Sequence, residues 1–232
     1  MELIAHRGCA ELYPENTVYA VEQASLDFPA VEIDVRRCRS GELVVFHDET
    51  IDRVTEGSGS VAEMAWSELR ELEVKRSGER IPLLSEALAA VPSGVSVQVE
   101  LKRTGIAAEV LSRIHDSGVD ARVTSFIPSA LSEVQEYDPE MKRGYLFGEE
   151  VGATIGFRTA LALGCDSLHP HSALCLETDI VQVAHREELR VIAWAVSDEL
   201  TVGELHAIGV DAATADTRMS SILEETTPMA AD

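Results

Sequence analysis

Short apolar runs alternate along this chain with longer segments in which apolar residues recur every three or four positions. The short runs are typical of buried β-strands, and the longer segments are typical of amphipathic helices. We predict strands at 2–5, 31–35, 96–101, 121–125, 142–147, 166–169, 190–196 and 211–215. Helices are predicted between them, at 15–28, 83–91, 106–117, 128–137, 153–163, 177–187, 199–208 and 217–223.

This alternation predicts the fold class. Eight strands that alternate with helices over 232 residues indicate an α/β fold, a single-domain (β/α)8 TIM barrel. An open doubly wound sheet is the alternative, but it usually has fewer strands, and no Gly-x-Gly-x-x-Gly follows the first strand. We predict that the barrel spans residues 1–224 and that residues 225–232 form a flexible C-terminal tail.

One further apolar run, Leu43 to Phe46, does not fit the alternation. Only a few residues separate it from the second strand, whereas a parallel crossover needs a dozen or more. We therefore predict an antiparallel hairpin that turns at Ser40-Gly41. A two-residue turn there places Asp34 opposite His47, and a slip of one residue would still return His47 to the same strand end.

The composition has a strong acidic bias. Nineteen Lys and Arg residues stand against 41 Asp and Glu residues, and the formal net charge is −22. A charge this negative argues against nucleic acid or an anionic membrane as a partner. High salt would screen the self-repulsion, so we expect a salt-rich cytoplasm of the halophilic kind, with an acidic mesophilic protein as the alternative.

The chain shows no pattern typical of export or membrane insertion. We predict no signal peptide, because no basic region followed by a long apolar stretch is visible, and no run approaches the roughly 20 residues of a membrane span. Cys9, Cys38, Cys165 and Cys175 lack CxxC spacing, which favours reduced thiols. We expect a cytoplasmic protein, and its oligomeric state is left open.

Charged residues cluster where the predicted strands end: His6, Arg7, Glu32, Asp34, His47, Glu100 and Lys102. Residues two apart in a strand share a face, so Glu32 and Asp34 point the same way. Because barrel strands converge at their carboxyl ends, these two residues and Glu100 can surround one point. Three carboxylates without a cysteine cluster suit Mg²⁺ or Ca²⁺ and do not suit zinc.

The basic members of this cluster have their own candidate chemistry. Imidazole titrates near neutral pH, so His6 and His47 are candidates for a general acid and base. Arg7 and Lys102 are candidates for binding an anion, or for balancing the charge of the carboxylates. The segment 14–17 opens a helix after the first loop, and we expect it to cap that helix or to brace the site.

An ordered series of motifs runs through nearly the whole chain. It comprises His6-Arg7-Gly8, Pro14-Glu15-Asn16-Thr17, Glu32-Ile33-Asp34-Val35, Val44-Val45-Phe46-His47-Asp48, Ile51-Asp52-Arg53-Val54-Thr55, Ile81-Pro82-Leu83, Glu100-Leu101-Lys102, Ser125-Phe126, Leu168-His169-Pro170 and Ala193-Trp194-Ala195-Val196. In order and spacing the series resembles the glycerophosphodiester phosphodiesterase family. A single short motif would be weak support, but an ordered set is highly specific.

The resemblance implies metal-dependent hydrolysis of a small-molecule glycerophosphodiester to glycerol phosphate and an alcohol. It implies a metal on Glu32, Asp34 and Glu100, acid-base catalysis by His6 and His47, and phosphate binding by Arg7 and Lys102. In the family's mechanism a glycerol hydroxyl attacks phosphorus, and water then opens the cyclic phosphate. Trp194 would form an apolar wall of the site, with ordinary barrel core as an equal alternative, and His169 has no firm role.

Two other interpretations remain open: a phosphodiester-binding barrel that has lost its chemistry, and a TIM-barrel enzyme that acts on another phosphodiester. The chain also departs from the family pattern. Residues 212–216 are Ala-Ala-Thr-Ala-Asp, where the family usually has bulky apolar residues before Thr-Asp. The stretch from His47 to Glu100 has no room for a large cap, so we expect an open pocket that tolerates different head groups.

Overall fold

Eight parallel strands close into a barrel in the computed structural model, which describes residues 1–219. The strands of the sheet are β1 (Glu2–Ala5), β2 (Ala30–Arg37), β3 (Leu43–Val45), β4 (Ser96–Leu101), β5 (Ala121–Ser125), β6 (Arg143–Phe147), β7 (Ser167–Pro170), β8 (Arg190–Val196) and β9 (Ala212–Ala215). All except β3 are parallel, and β1 pairs with both β2 and β9, which closes the cylinder. The predicted TIM barrel is confirmed.

Helices connect the strands. They are α1 (Val18–Ala24), α2 (Trp66–Leu69), α3 (Leu84–Ala89), α4 (Ala107–Ser117), α5 (Pro128–Tyr137), α6 (Ala153–Ala162), α7 (Ser172–Glu177), α8 (Ile180–Arg186) and α9 (Glu199–Ala207). The first is shorter than predicted, because the Thr17 hydroxyl accepts a hydrogen bond of 3.1 Å from the Ala20 N–H and caps the helix there.

Two other predicted helices differ from the structure. In place of the helix predicted at 177–187 there are two helices, α7 and α8. Thr178, in an extended conformation, separates them. Of the helix predicted at 217–223, residues 217–219 are not helical, and the remainder lies outside the described residues. The end of the barrel at residue 224 and the tail at 225–232 also lie outside them.

The hairpin forms as predicted, but its register is shifted by one residue. Strand β3 pairs antiparallel to β2 with Val35 opposite Val45, and the Phe46 N–H donates to the Asp34 carbonyl at 2.9 Å. The prediction that Asp34 lies opposite His47 is therefore wrong. The loop has three residues, 39–41, rather than two, and Gly41 supplies the φ of +108° that it needs.

The main core lies between the barrel and its helices. Outward-facing strand residues such as Val31, Ile33 and Val35 are fully buried against this layer. Inside the barrel, the end nearest the amino termini of the strands is apolar, and Ile4 and Ile192 pack together there. The buried residues toward the carboxyl ends of the strands are polar. Carboxylates at that end thus share the barrel interior, where burial is costly without compensating charge.

The segment between β3 and α3 packs against the β2–β3 hairpin in a second, smaller core. Its members are Cys38 and Val44 of the hairpin and Phe46, Ile51, Val54, Val61, Leu69, Val74 and Ile81 of the segment. Because β3 pairs with Val35–Arg37, this second core adjoins the carboxyl end of β2. The four cysteines are free and buried. Within residues 1–219, none of the helices has the length and apolar character needed to cross a membrane.

Candidate active site

A cavity of about 210 Å³ opens at the carboxyl ends of the barrel strands. Its lining consists of His6, Arg7, Glu32, His47, Gln98, Glu100, Lys102, Phe126, Leu146, Trp194, Ala195 and Thr214. Seven of the eight predicted site residues are among them, and the eighth, Asp34, lies fully buried beside Glu32 and Glu100. The parallel strands bring these residues together although up to 188 positions separate them in the chain (His6 to Trp194).

Three carboxylates form the centre of the site. Glu32, Asp34 and Glu100 each offer an oxygen, and these three oxygens lie within 4.8 Å of one another. Their strands are neighbours, with Asp34 opposite Glu100 in the register of β2 and β4. Glu32 Oε2 accepts the backbone N–H of Arg7 at 2.9 Å, but its buried Oε1 has no hydrogen-bond partner among residues 1–219.

The electrostatics of this group suit a bound cation. Burial and the Asp34 carboxylate raise the pKa of Glu32 to about 8. Burial, opposed by the Lys102 ammonium, raises the pKa of Glu100 to about 7. Burial also opposes ionisation of Asp34, but Lys102, His47 and Arg7 hold its pKa well below the usual range. An unpartnered carboxylate oxygen in a cluster of hard oxygen donors fits Mg²⁺ or Ca²⁺.

Two cations border the carboxylates. Lys102 Nζ lies 2.6 Å from Glu100 Oε1 and 2.9 Å from Asp34 Oδ1. Arg7 Nη1 donates to Glu15 Oε1 at 3.2 Å, and its Nε lies 3.5 Å from Asp34 Oδ2. Both side chains also line the cavity, so they are placed to meet an anion while they balance the carboxylates.

The backbone around Arg7 is a tight turn. Arg7, Gly8 and Cys9 all have positive φ, of 50°, 75° and 67°. A Cβ on Gly8 would lie 2.7 Å from Ala20 Cβ, so glycine lets the turn approach helix α1. This turn directs the Arg7 N–H toward Glu32, and it packs on the helix that Thr17 caps.

Each histidine of the cavity is oriented by a carboxylate. His6 Nδ1 donates to Asp216 Oδ1 at 2.7 Å, and His47 Nδ1 donates to Asp48 Oδ1 at 2.7 Å. In both rings Nε2 is the nitrogen left for a substrate. The guanidinium of Arg36 also donates twice to the His47 carbonyl, at 2.9 and 2.7 Å, and fixes its backbone.

The two imidazoles have pKa values displaced in opposite directions. Burial favours the neutral form of His6, but the hydrogen bond to Asp216 and the charge of Glu32 outweigh it and raise the pKa. For His47, burial is the largest influence, and it lowers the pKa despite the Asp34 charge. An environment that moves the pKa values of two histidines apart in this way suits one of them to act as an acid and the other as a base.

Glu15 and Asn16 brace the centre, as the segment 14–17 was expected to do. Glu15 is 4% exposed and accepts from both Arg53 Nη atoms, at 2.9 and 2.7 Å, and Lys75 Nζ lies 2.9 Å from it. Asn16 donates to Asp34 Oδ2 at 2.7 Å and accepts the Asp34 N–H at 3.2 Å. These contacts tie the segment after β3 to the first loop of the barrel.

An aromatic wall faces the charged side of the cavity. The Trp194 ring packs edge-to-face at 5.0 Å against both Phe126 and His171, and its Nε1 donates to the His169 carbonyl at 2.9 Å. The His169 ring is fully buried, lies 3.0 Å from the Ser167 hydroxyl and does not line the cavity. Its pKa is well below the usual range because of burial, so the ring is neutral.

Several residues of the site have no role that the sequence predicts. Asp216 and Asp48 bond the two histidines, Arg53 holds Glu15, and Gln98 and Thr214 reach the cavity floor. The signals were present in part: Asp48 and Arg53 stand in quoted motifs, and Gln98 precedes Glu100 by two positions on the same face of β4. For Asp216, no local pattern indicated its partner.

Comparison with known proteins gives a consistent result. The model of the glycerophosphoryl diester phosphodiesterase family matches residues 6–218. A glycerophosphodiester phosphodiesterase of Caldanaerobacter subterraneus is 30% identical over 224 residues, which cover 90% of this chain and 91% of that protein. A phosphodiesterase of Oleispira antarctica, solved with the product sn-glycerol-3-phosphate, is 28% identical with a TM-score of 0.82 and covers 93% of each chain.

A third structure agrees in fold. Glycerophosphodiester phosphodiesterase from Agrobacterium tumefaciens superposes with a TM-score of 0.81 at 24% identity, over 93% of this chain and 96% of that one. The barrel described above is therefore the architecture these proteins share.

Proposed function

This chain belongs to the glycerophosphoryl diester phosphodiesterase family, and from that premise we propose that it hydrolyses glycerophosphodiesters to glycerol phosphate and an alcohol. One observation carries the proposal: two carboxylate-bonded histidines face three clustered carboxylates and two cations within one cavity. A phosphodiester is an anion, and its cleavage requires proton transfers at two oxygens. The cations of this cavity can bind the anion, and its two histidines can carry out the proton transfers.

The proposed metal site is formed by Glu32, Asp34 and Glu100. A bound Mg²⁺ or Ca²⁺ would supply positive charge that stabilises the phosphoryl oxygens. Arg7 and Lys102 would bind the same phosphate from its other sides, the first as a planar fork and the second as a point charge. The Asn16 amide and the Arg7 backbone N–H keep the carboxylates in place while the charge at phosphorus changes.

The histidines divide the proton transfers according to their environments. Neutral His47 accepts the proton of the glycerol hydroxyl as its oxygen bonds to phosphorus. Protonated His6 donates a proton to the alcohol oxygen as the bond from that oxygen to phosphorus breaks. A cyclic glycerol phosphate remains. Water then attacks phosphorus while His6 accepts one of its protons. The bond between phosphorus and the glycerol oxygen that attacked first breaks, His47 returns its proton to that oxygen, and glycerol phosphate is formed.

Product release tests this proposal. Glycerophosphocholine and glycerophosphoglycerol are incubated with the protein in high-salt buffer, and glycerol phosphate is measured with and without EDTA. We expect release by the native chain, and loss with EDTA, His6→Ala or His47→Ala. His115→Ala is the matched control, because this histidine is exposed on α4 and bonds Asp138 away from the cavity. Activity that survives both EDTA and His6→Ala contradicts the mechanism.

A further inference from the structure

Two buried polar side chains form the floor of the cavity. Gln98 is 4% exposed and Thr214 is 2% exposed, and both line the cavity. Neither Gln98 Oε1 nor Thr214 Oγ1 has a hydrogen-bond partner among residues 1–219. Leaving such a group unpaired is costly, and buried polar atoms in native proteins nearly always have a partner. The floor is therefore built for a polar ligand group.

The position of these residues places that ligand group beneath the reacting centre. Gln98 lies on the same face of β4 as Glu100, one layer deeper, and is opposite Glu32 in the register. Thr214 stands on β9 two residues before Asp216, which bonds His6. The floor is thus adjacent to both the carboxylates and the His6–Asp216 pair.

The remaining walls indicate which class of molecule fits. Phe126, Leu146 and Trp194 give the cavity an apolar side, and Gln98 and Thr214 give it an uncharged polar floor. A short polyol has C–H groups on one face and hydroxyls on the other. Such a molecule can place its carbons on the aromatic wall and a hydroxyl on the floor.

We propose that Gln98 and Thr214 bind the glycerol hydroxyl that does not attack phosphorus, and so select glycerol over shorter diols. The inference rests on the proposed function and identifies specificity residues within it. Gln98 Oε1 accepts a hydrogen bond from this hydroxyl, and the Thr214 hydroxyl donates a hydrogen bond to its oxygen.

A matched pair of substrates isolates this contact. Glycerophosphocholine carries both hydroxyls, whereas 2-hydroxyethyl phosphocholine keeps the attacking hydroxyl and lacks the second. Choline release gives kcat/KM for both with the native chain, Gln98→Met and Thr214→Val. We expect the native chain to prefer the glycerol substrate by about 100-fold or more, and each variant to reduce the preference about tenfold. Thr214→Ser keeps the hydroxyl and should therefore retain the preference for the glycerol substrate that Thr214→Val reduces.

The outcomes separate this inference from the proposed function. If both variants keep the native preference, or lose activity equally on both substrates while remaining folded by circular dichroism, the assignment of Gln98 and Thr214 is wrong. Calorimetric binding of glycerol phosphate and of 2-hydroxyethyl phosphate provides a readout independent of turnover. If the native chain hydrolyses neither diester, the proposed function fails, and the ratio of these two affinities still supports or overturns the hydroxyl site.

Discussion

His6 Nδ1 donates a hydrogen bond of 2.7 Å to Asp216 Oδ1, although 210 positions of sequence separate the two residues. His6 follows β1 and Asp216 follows β9, the two strands whose pairing closes the barrel. Closure of the fold thus orients a proposed catalytic imidazole. The same bond raises the pKa of His6 against the effect of burial, and this favours the protonated form that an acid must have.

We expect Asp216→Asn to lower kcat by at least about tenfold with little change in KM, because it removes the orientation and charge support of His6 and leaves phosphate binding intact. Since Asp216 raises the pKa of His6, its loss should move the alkaline limb of the kcat profile to lower pH. A pH–rate profile of both proteins measures this. Asp138→Asn, at the partner of exposed His115, is the control. An unshifted profile would show that Asp216 is only structural.

The positions of the strands and the clustering of the carboxylates could be predicted from the sequence, because both follow from patterns among neighbouring residues. An apolar run that ends in a polar cluster shows where a strand stops, and period-two spacing puts Glu32 and Asp34 on one face. The Asp216 contact was not predictable in this way, since it joins the two ends of the chain. The predicted register of the hairpin was also wrong, because the loop has three residues rather than two and this length depends on the conformation of Gly41.

The brace at Glu15 provides a test of acid stability. Burial would raise the pKa of Glu15, but hydrogen bonds from Arg53 and Lys75 dominate and lower it from 4.5 to about 2. A depressed carboxyl pKa stabilises the fold above the unfolded value, and this contribution is lost as pH falls from about 4.5 to about 2. The shift corresponds to about 3 kcal/mol, which we discount to about 2 because Arg53 and Lys75 are substantially exposed.

Glu15→Gln should therefore lower the free energy of unfolding by about 2 kcal/mol at pH 7, measured by urea denaturation, with a smaller difference between variant and native chain below pH 4. Glu56→Gln serves as control: Glu56 pairs with Arg76 on the exposed surface, and we expect no measurable change. A constant difference between Glu15→Gln and the native chain from pH 7 to pH 3 would show that its packing matters and its charge does not.

Cation binding should stabilise the protein more at high pH than at low pH. Without a cation, the raised pKa values of Glu32 and Glu100, about 8 and 7, mean that the folded chain keeps protons which the unfolded chain loses above 4.5. The contribution of Glu32 and Glu100 to the stability of the metal-free protein therefore falls as pH rises from about 4.5 to about 8. Part of this effect is repulsion from the Asp34 carboxylate, which a bound divalent cation would offset.

Thermal unfolding with saturating Mg²⁺ or Ca²⁺ measures the effect. We expect Tm to rise by about 5–10 °C at pH 8.5 and by clearly less at pH 6, where protons compete with the cation. Potassium chloride at equal ionic strength controls for screening, and Glu32→Gln should abolish most of the rise. An equal rise at both pH values would mean that the cation binds outside the carboxylate cluster.

The acidic surface leads to a prediction about salt, and halophilic adaptation stays a prediction until it is tested. With a net charge of −22, like charges repel across the folded surface, and the unfolded chain relieves this repulsion by expanding. Raising potassium chloride from 0.1 to 2 M shortens the Debye length from about 10 Å to below 3 Å, so Tm at pH 7.5 should rise by about 10 °C. The control is the same titration at pH 5, near the isoelectric point of 4.6, where the net charge is small and little net repulsion remains to be screened. If salt raises Tm equally at both pH values, strengthened apolar burial rather than charge screening is the cause.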